Sequence, residues 1–310
     1  MRALVLCLPL LAAPLCADPA DRVEAAFDSW LRQHDIGDGA LVLLKDGAPL
    51  RAVAHGLSPD RATDLQSTSK AITAHCVKSL VDAGALDWTT PLHRVIDTPS
   101  DLTIAELVTH TSGLTRDSTQ GDMAAWRNDP TPRWTEVTQR ALARTAAGTR
   151  GAYAYNNENY AILGTVIETI TGQPYDETCK TRVLSDAPSA RLSPVTGSYG
   201  PWGGWQMSPA EYARFHFRHF GALDPAALPH ADLGHGAFYG LGTIWRHARG
   251  GGFNHWHFGL LCFHDGQANG GSFAVSWAGG YTVFAAYNAC IDSKAMAGLD
   301  RSMIEALFSP

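Results

Sequence analysis

The sequence predicts an α+β fold: an antiparallel sheet closed by N- and C-terminal helices, plus an inserted all-helical lobe. Two observations support this prediction. A β-hairpin pattern near the N terminus lacks neighbouring strands in sequence, and strand-like segments return only near the C terminus. Helix-like segments fill the space between them. Because the early hairpin needs edge partners, we expect the late strands to pair with it.

The first elements follow from apolar spacing and turn residues. Asp21–Gln33 has apolar residues at helical spacing, and Ala40–Leu44 and Pro49–Ala54 form a predicted hairpin around Asp46-Gly47. Ser67–Ala83 is apolar-rich and predicts a long helix that ends near Gly84. The sheet lobe is therefore expected at about residues 18–66 and 205–310, with the helical lobe at about 67–204.

Capping residues mark the later helices. Thr103 and Ser208 each stand three residues before a glutamate, which predicts two capping boxes. Asn159–Thr171 is a predicted helix closed by Gly172. The late predicted elements are the strands Phe258–Phe263, Ser272–Trp277 and Tyr281–Tyr287 and the helix Met296–Phe308.

The first 17 residues resemble a secretory signal. Arg2 supplies a positive start, an apolar run follows up to Leu15, and Ala17-Asp18-Pro19 ends it. The run is shorter than the roughly 20 apolar residues that a membrane span needs. We therefore expect cleavage after Ala17, a mature domain at 18–310 and a periplasmic or secreted protein without stable membrane insertion; an uncleaved anchor is the alternative.

Composition and charge exclude some classes. The chain has 310 residues, 45% hydrophobic and 17% charged, which is typical of a globular protein. Lys+Arg 24 against Asp+Glu 30 gives a net charge of −6, so no basic surplus favours nucleic acid. The expected partner is a small-molecule or peptide substrate, and the sequence does not specify an oligomeric state.

Four cysteines remain after the signal. Cys76, Cys179, Cys262 and Cys290 allow three pairings, and buried free thiols are an equal alternative. We expect Cys262 and Cys290 to be unpaired with each other, because the strand Ser272–Trp277 separates their strands. Two strand spacings are roughly 9.5 Å, beyond the limit of about 7 Å between bridged Cα atoms.

The strongest chemical pattern is Ser67-Thr68-Ser69-Lys70 at a predicted helix start. Residues three apart share one helical face, so the Lys70 amine can approach the Ser67 hydroxyl. Burial lowers the pKa of a lysine and makes it a proton acceptor. The alternative is a helix cap followed by a surface lysine.

Two further patterns accompany it. Tyr155-Asn156-Asn157 offers a phenol, whose pKa a nearby lysine can lower, and an amide for a substrate carbonyl. His264-Asp265-Gly266 follows a predicted strand, and its glycine permits close approach of substrate backbone. His257-Phe258-Gly259 has the same form, but the glycine-rich turn after His264 favours the later segment. The alternatives are a polar turn and a hairpin with an incidental histidine.

In this order and spacing, the three patterns resemble the serine β-lactamase-like hydrolases, which include class C β-lactamases, D,D-peptidases, D-aminopeptidases and related esterases. The resemblance extends over nearly the whole mature chain. It is most specific in "LTIAELVTHTSGL" and "YAYNNENYAILGTVIETITGQPY". It implies a β-lactamase/penicillin-binding-protein-like fold.

The resemblance also implies roles for the site residues. Ser67 becomes the nucleophile, with Lys70 and Tyr155 as its proton-transfer pair. Asn157 and His264 become polar groups on the substrate side.

The same resemblance implies an oxyanion hole from the backbone N–H groups of Ser67 and Gln267, beside Gly266. His264 stands where β-lactamases have a lysine that attracts a substrate carboxylate. This difference favours an esterase or peptidase over an efficient β-lactamase.

The predicted function is therefore an exported serine hydrolase that forms an acyl-enzyme with a carboxylic ester or a D-amino-acid peptide or amide. The alternatives are a β-lactamase, a penicillin-recognising receptor that is acylated without efficient turnover, and a silent scaffold. No metal or organic cofactor is expected. His216, His219, His255 and His257 lack a ligand set, and we expect them on exposed loops or helices.

Overall fold

The computed structural model describes residues 18–144 and 147–309; the predicted signal segment lies outside this range. An eight-stranded sheet has the order β2-β1-β11-β10-β9-β8-β7-β6, and β3-β5-β4 form a small second sheet. The strands are β1 (Gly39–Lys45), β2 (Ala48–His55), β3 (Thr63–Asp64), β4 (Arg191–Leu192), β5 (Trp205–Met207), β6 (Ala231–Gly234), β7 (Ala237–Gly240), β8 (Thr243–His247), β9 (Phe253–Leu261), β10 (Gly270–Ser276) and β11 (Tyr281–Tyr287).

Helices cover both faces of the large sheet. They are α1 (Pro19–Gln33), α2 (Ser69–Asp82), α3 (Ile104–Val108), α4 (Thr119–Trp126), α5 (Trp134–Leu142), α6 (Asn157–Thr171), α7 (Tyr175–Val183), α8 (Gly200–Gly203), α9 (Pro209–Phe220) and α10 (Ser293–Phe308). The described chain thus contains the helices and strands that the sequence predicts, together with the short strands β6–β8 at one edge of the sheet.

Alternation along β1 divides the hydrophobic core in two. Leu41 and Leu43 face a cluster formed with α1 and α10, and Val42 and Leu44 face the larger cluster that includes the central helices. Successive side chains of a strand point to opposite faces, so a sheet buried on both sides needs apolar residues at consecutive positions. All four of these side chains are at most 3% exposed.

Both chain ends close the sheet, as predicted. β1 pairs antiparallel with β11 and with β2, and the hairpin turn places Asp46 and Gly47 at positive φ. On the outer face α1 packs against α10, where the Trp30 indole N–H donates to the Ala295 carbonyl oxygen at 2.9 Å. The α+β architecture predicted from the sequence is confirmed.

The two predicted capping boxes differ in the structure. At α3, the Thr103 hydroxyl accepts from the Glu106 N–H and the Glu106 carboxylate accepts from the Thr103 N–H. At α9 only the first half is present, since Ser208 accepts from the Glu211 N–H. The Glu211 carboxylate accepts from the N–H and hydroxyl of Ser189, which ties α9 to the loop after α7.

The prediction that Cys262 and Cys290 are not bonded to each other is wrong. The structure contains Cys262–Cys290 with a Cα–Cα distance of 5.3 Å, and a second disulfide, Cys76–Cys179. The predicted strand order was right, because β10 lies between β9 and β11. However, Cys262 and Cys290 lie beyond the ends of β9 and β11, where the loops converge and the strand spacing no longer applies.

The histidines predicted to be exposed lie mostly inside the protein. His216, His255 and His257 are at most 6% exposed, because α9 packs on the sheet and β9 turns these side chains inward. Among residues 18–144 and 147–309, no group of three His, Cys, Asp or Glu side chains is placed to hold a metal ion. Within the same residues, no helix is long and apolar enough to cross a membrane.

Candidate active site

Ser67 lies in a tight turn that directly precedes helix α2. The sequence predicts one helix from Ser67, but the structure has a 3₁₀ turn at Gln66–Thr68 followed by α2. Gln66 has a φ of +48°, a backbone conformation that is unusual for residues other than glycine and asparagine. This conformation redirects the chain from β3 into α2, and Ser67 comes to line a cleft of about 400 Å³.

Lys70 is fully buried one helical turn after Ser67. Its amine lies 3.2 Å from the Ser67 Oγ, 2.8 Å from the Asn157 Oδ1 and 2.7 Å from the Trp202 carbonyl oxygen. The side chain is 0% exposed. The alternative of a surface lysine is therefore excluded, and SxxK places the amine beside the hydroxyl as predicted.

The environment of Lys70 favours the neutral amine. Burial lowers its pKa to about 7, while the negative charge of Asp117 opposes this shift. A lysine of ordinary pKa would be almost fully charged at neutral pH, whereas the lowered pKa of Lys70 makes the neutral amine available there. Its free electron pair can then accept the Ser67 proton.

The N terminus of α6 brings Asn157 to Lys70. The helix begins at Asn157, two residues earlier than predicted, because the Asn156 side chain caps it by accepting from the Glu158 N–H. The Asn157 Nδ2 donates to the Thr119 Oγ1 at 3.0 Å, so its Oδ1 faces Lys70. The amide thus has a fixed orientation.

Buried His110 holds this end of α6 in place. Its Nδ1 accepts from the Asn156 N–H at 3.3 Å and from the Asn159 Nδ2 at 3.0 Å. Its Nε2 therefore carries the proton and donates to the Tyr239 hydroxyl at 3.2 Å. Burial lowers the pKa of His110 well below its ordinary value. These contacts give His110 a structural role at the start of α6.

Tyr155 completes the group around Ser67. The Ser67 side chain interacts with its hydroxyl and acts to lower its pKa, and the Lys70 amine lies 4.8 Å from its ring centroid. The residue is 41% exposed overall, but desolvation still raises the pKa of its hydroxyl, and the Ser67 contact opposes this only in part. The expectation of a lowered phenol pKa is therefore corrected: Tyr155 is a neutral phenol that can donate a proton.

The predicted third segment, His264-Asp265-Gly266-Gln267, lies in an exposed turn after β9. His264 lines the cleft, but Gly266 closes a turn in which its N–H donates to the Phe263 carbonyl oxygen. The Gln267 N–H donates to the Asp265 Oδ1 at 3.0 Å, so it is engaged within the turn. Gly266 and Gln267 therefore do not form the strand that lies against the Gln66–Thr68 turn.

The strand that lies against the Gln66–Thr68 turn is instead β9, which carries His257-Phe258-Gly259. Sequence analysis favoured the His264 segment over this one. A Cβ on Gly259 would lie 2.6 Å from the Leu65 carbonyl oxygen and 2.9 Å from the Gln66 Cβ, so only glycine permits this approach. The His257 ring lies nearly parallel to Tyr155, with centroids 6.1 Å apart. Burial, together with the Lys70 charge, lowers the pKa of His257 to about 3, so this imidazole is neutral.

The cleft walls are largely apolar. Apolar and aromatic side chains of α4, the α7–α9 region and the end of β9 line it: Met123, Ala124, Tyr199, Trp202, Leu260 and Phe263. Trp202 lines the cleft although it is almost fully buried, and its carbonyl oxygen accepts from Lys70. Trp205 instead lies in the core, where its indole N–H donates to the Tyr175 hydroxyl.

Two contributors were absent from the sequence prediction. The Asp117 carboxylate accepts from the Asn157 N–H at 3.2 Å and acts electrostatically on Lys70. The acceptor at Trp202 is a backbone carbonyl oxygen, so no residue type in the sequence marks it. Both meet Lys70 through long-range packing, which local spacing does not encode.

Comparisons with known proteins agree with this architecture. The family model described as Beta-lactamase matches residues 20–296. Penicillin-binding protein 4 of Amycolatopsis lactamdurans is 28% identical over 183 residues, which are 52% of this chain and 46% of that protein. Protein flp of Staphylococcus aureus is 22% identical over 179 residues, 52% of this chain and 35% of that protein. The chain spans less than half the length of these curated relatives.

Solved structures match over nearly the whole chain. A D-stereospecific amidohydrolase from Streptomyces sp. superposes with a TM-score of 0.73 at 20% identity, covering 94% of this chain and 98% of that one. A D-amino acid amidase from Ochrobactrum anthropi SV3 gives 0.73 at 16% identity, with 93% and 100% covered. The fold is thus that of β-lactamases and penicillin-binding proteins, and the chain belongs to the Beta-lactamase family.

Proposed function

We propose that this protein is an acyl-enzyme serine hydrolase that cleaves a carboxylic ester or the amide of a small amino-acid derivative. One observation carries the proposal. The Lys70 amine, with its pKa lowered to about 7, lies 3.2 Å from the Ser67 hydroxyl oxygen inside an accessible cleft. A serine becomes a nucleophile when an adjacent base accepts its proton.

Acylation follows from the contacts around Ser67. The Ser67 Oγ attacks the substrate carbonyl carbon, a bond forms between them, and the Ser67 proton passes to the neutral Lys70 amine. The tetrahedral adduct then breaks the bond to the leaving nitrogen or oxygen. Tyr155 donates its phenolic proton to that atom and is reprotonated from Lys70, so the leaving group departs neutral and Lys70 returns to its neutral form.

The developing oxyanion needs backbone donors. We assign this role to the N–H groups of Ser67 and Leu260. Leu260 follows Gly259 at the point where β9 approaches the nucleophile turn, and its side chain lines the cleft. Leu260 replaces Gln267, whose N–H is occupied by Asp265. Removing one such donor typically costs roughly 10²–10³-fold in kcat.

Deacylation reverses the same proton path. Water attacks the Ser67 ester carbonyl and gives a proton to the neutral Lys70–Tyr155 pair. The bond to the Ser67 Oγ then breaks, and that oxygen regains a proton from the pair. The product acid leaves, and its carboxyl group ionises in solvent.

The relatives and the disulfides support the finer parts of the proposal. The solved structures of similar fold include proteins named D-stereospecific amidohydrolase and D-amino acid amidase, which favours an amide with a D-configured acyl group. We also propose export, because the first residues have signal character and the two disulfides suit an oxidising compartment.

A second candidate function is penicillin recognition, with acylation of Ser67 and slow release. The resemblance to penicillin-binding protein 4 favours it. One observation argues against penicillin recognition. The β9 segment His257-Phe258-Gly259 supplies a neutral imidazole at the position where a cation would attract the carboxylate of a β-lactam.

The test compares Ser67→Ala with Ser79→Ala. Ser79 lies on the same helix α2, where its hydroxyl donates to the Cys76 carbonyl oxygen, so it controls for loss of a serine. Substrates are a p-nitrophenyl ester, D-Ala-p-nitroanilide and a chromogenic cephalosporin. We expect turnover of the ester or anilide that Ser67→Ala abolishes and Ser79→Ala retains. Residual activity above a few per cent in Ser67→Ala would contradict the nucleophile assignment. Stable acylation by the cephalosporin without turnover would favour the receptor.

A further inference from the structure

The charges around the cleft bear on the substrate class. Among the side chains that line the cleft in the described part of the chain, none is a lysine, an arginine, an aspartate or a glutamate. Behind this lining lie the basic side chains of Lys70 and Arg127. Each is already committed to acceptors of the protein itself.

Lys70 has no free donor for a substrate carboxylate. Its three acceptors are the Ser67 Oγ, the Asn157 Oδ1 and the Trp202 carbonyl oxygen, which match the three hydrogens of an ammonium group. The segment His257-Phe258-Gly259 on β9 adds the imidazole of His257, which is neutral. A substrate carboxylate beside the scissile bond would therefore meet no cation there.

Arg127 is paired across the mouth of the cleft. It follows α4, and its guanidinium donates to both carboxylate oxygens of Asp265, at 2.8 and 2.5 Å, and to the Gln267 carbonyl oxygen at 3.1 Å. It also stacks on Phe263, with its Cζ 4.8 Å from the ring centroid, and Phe263 lines the cleft. The Arg127 side chain is only 17% exposed. The pair thus neutralises an arginine that lies against the cleft wall.

We propose, on the basis of the proposed hydrolase function, that the Arg127–Asp265 pair is a specificity determinant that restricts the site to substrates without a carboxylate near the scissile bond. These substrates are esters and amides that carry no carboxylate, including amino-acid amides, rather than peptides with a free C-terminal carboxylate. Removing the Asp265 charge leaves Arg127 uncompensated beside the wall. The cleft then attracts anionic acyl groups.

The test uses two esters with acyl chains of equal length, one ending in a methyl group and one in a carboxylate: p-nitrophenyl valerate and the p-nitrophenyl monoester of glutaric acid. The measured quantity is the ratio of kcat/KM for the glutarate ester to kcat/KM for the valerate ester, so a general loss of activity cancels. We expect the wild type to prefer valerate. Asp265→Asn should raise the ratio by about three- to tenfold at low salt, and added salt should reduce the gain, because the new charge acts through partly screened solvent.

Two further variants check the cause. Arg127→Gln/Asp265→Asn should return the ratio to the wild-type value, because the uncompensated cation is gone. Asp186→Asn is the matched control, since Asp186 makes the same two-oxygen pair with Arg218 on α9 and should leave the ratio unchanged. A wild type that prefers the glutarate ester, or an unchanged ratio in folded Asp265→Asn, would overturn the specificity proposal.

Absence of turnover has a separate meaning. If the wild type hydrolyses neither ester nor any amide of the panel, the hydrolase proposal fails. The charge proposal is then decided by NMR titration of Ser67→Ala with valeramide and glutaramate. Asp265→Asn in that background should tighten binding of glutaramate relative to valeramide, and an unchanged relative affinity would refute it.

Discussion

A charged lysine amine has three hydrogens, and a neutral one has two hydrogens and a free electron pair. Around Lys70, the Asn157 Oδ1 and the Trp202 carbonyl oxygen lie closer than the Ser67 Oγ, at 2.8 and 2.7 Å against 3.2 Å. The neutral amine can therefore keep both short hydrogen bonds and direct its electron pair at the Ser67 hydroxyl. Loss of the third hydrogen leaves no acceptor unsatisfied, which makes the base form compatible with burial.

This arrangement predicts a pH profile. Because the pKa of Lys70 is about 7, kcat/KM for a neutral ester should fall as the pH drops through this value and the amine becomes protonated. Asp117 raises the pKa of Lys70, so Asp117→Asn should lower it and shift the acid limb to lower pH by about half a unit or more. Steady-state rates across the pH range measure the shift.

The control for this profile is Asp122→Asn. Asp122 lies on α4 and pairs with Arg140, so its loss removes the same charge from the helical region without touching Asn157. The acid limb of Asp122→Asn should coincide with that of the wild type. An acid limb that stays in place in Asp117→Asn would mean that another group controls acylation.

At the scale of elements, the packing of β9 against the Gln66–Thr68 turn determines the position of Ser67. The Ser272 hydroxyl on β10 donates to the Leu65 carbonyl oxygen at 2.7 Å, and the Thr68 hydroxyl donates to the same oxygen at 2.7 Å. Gly259 lies over this group, where a Cβ would come within 2.4 Å of the Ser272 Oγ. The turn that carries Ser67 is thus held from behind by the sheet.

Two alanine substitutions test which His-x-Gly segment, His257–Gly259 or His264–Gly266, lies beside Ser67. Gly259→Ala should push β9 away from Leu65 and reduce kcat/KM by about 10²-fold or more, because small misplacements of reacting groups are costly. Gly266→Ala meets no atom within 4 Å, although its φ of +71 makes it mildly destabilising. Its kcat/KM should stay near the wild-type value. The reverse result, with only Gly266→Ala inactive, would restore His264–Gly266 as the third segment.

The comparison of β9 with α2 shows what the sequence encodes. SxxK fixes Ser67 and Lys70 on one helical face, so their contact is predictable from spacing alone. The choice between two His-x-Gly segments depends on where β9 ends, and the glycine-rich turn after His264 favours the wrong candidate because β9 runs on to Leu261. Only the approach of β9 to Leu65 and Gln66, a contact between distant parts of the chain, decides between them. The same holds for Cys262–Cys290, whose pairing is set by loops beyond the strand ends.

At the scale of the whole molecule, a set of buried imidazoles links the helical part to the sheet. His75 on α2, His216 and His219 on α9 and His255 on β9 lie among Phe215 and Phe220. Burial lowers the pKa of each of these histidines. The fold therefore requires neutral imidazoles at the junction between the nucleophile helix, α9 and β9, and the cluster makes its stability depend on pH.

His255 tests this dependence, because it is 1% exposed and neither ring nitrogen has a hydrogen-bond partner among the described side chains. Burial lowers its pKa from 6.5 to about 4. Between these values the unfolded chain binds a proton that the folded protein does not, so the free energy of unfolding falls as the pH drops. Between about pH 6.5 and pH 4.5, His255 alone should lower the free energy of unfolding by roughly 2 kcal/mol.

His255→Phe, which can pack on Phe220, should reduce this loss of unfolding free energy by about that amount, as measured by urea unfolding at the two pH values. His93→Phe, at an exposed position, should change the loss little. Equal losses in the wild type and His255→Phe would show that His255 does not couple folding to protonation.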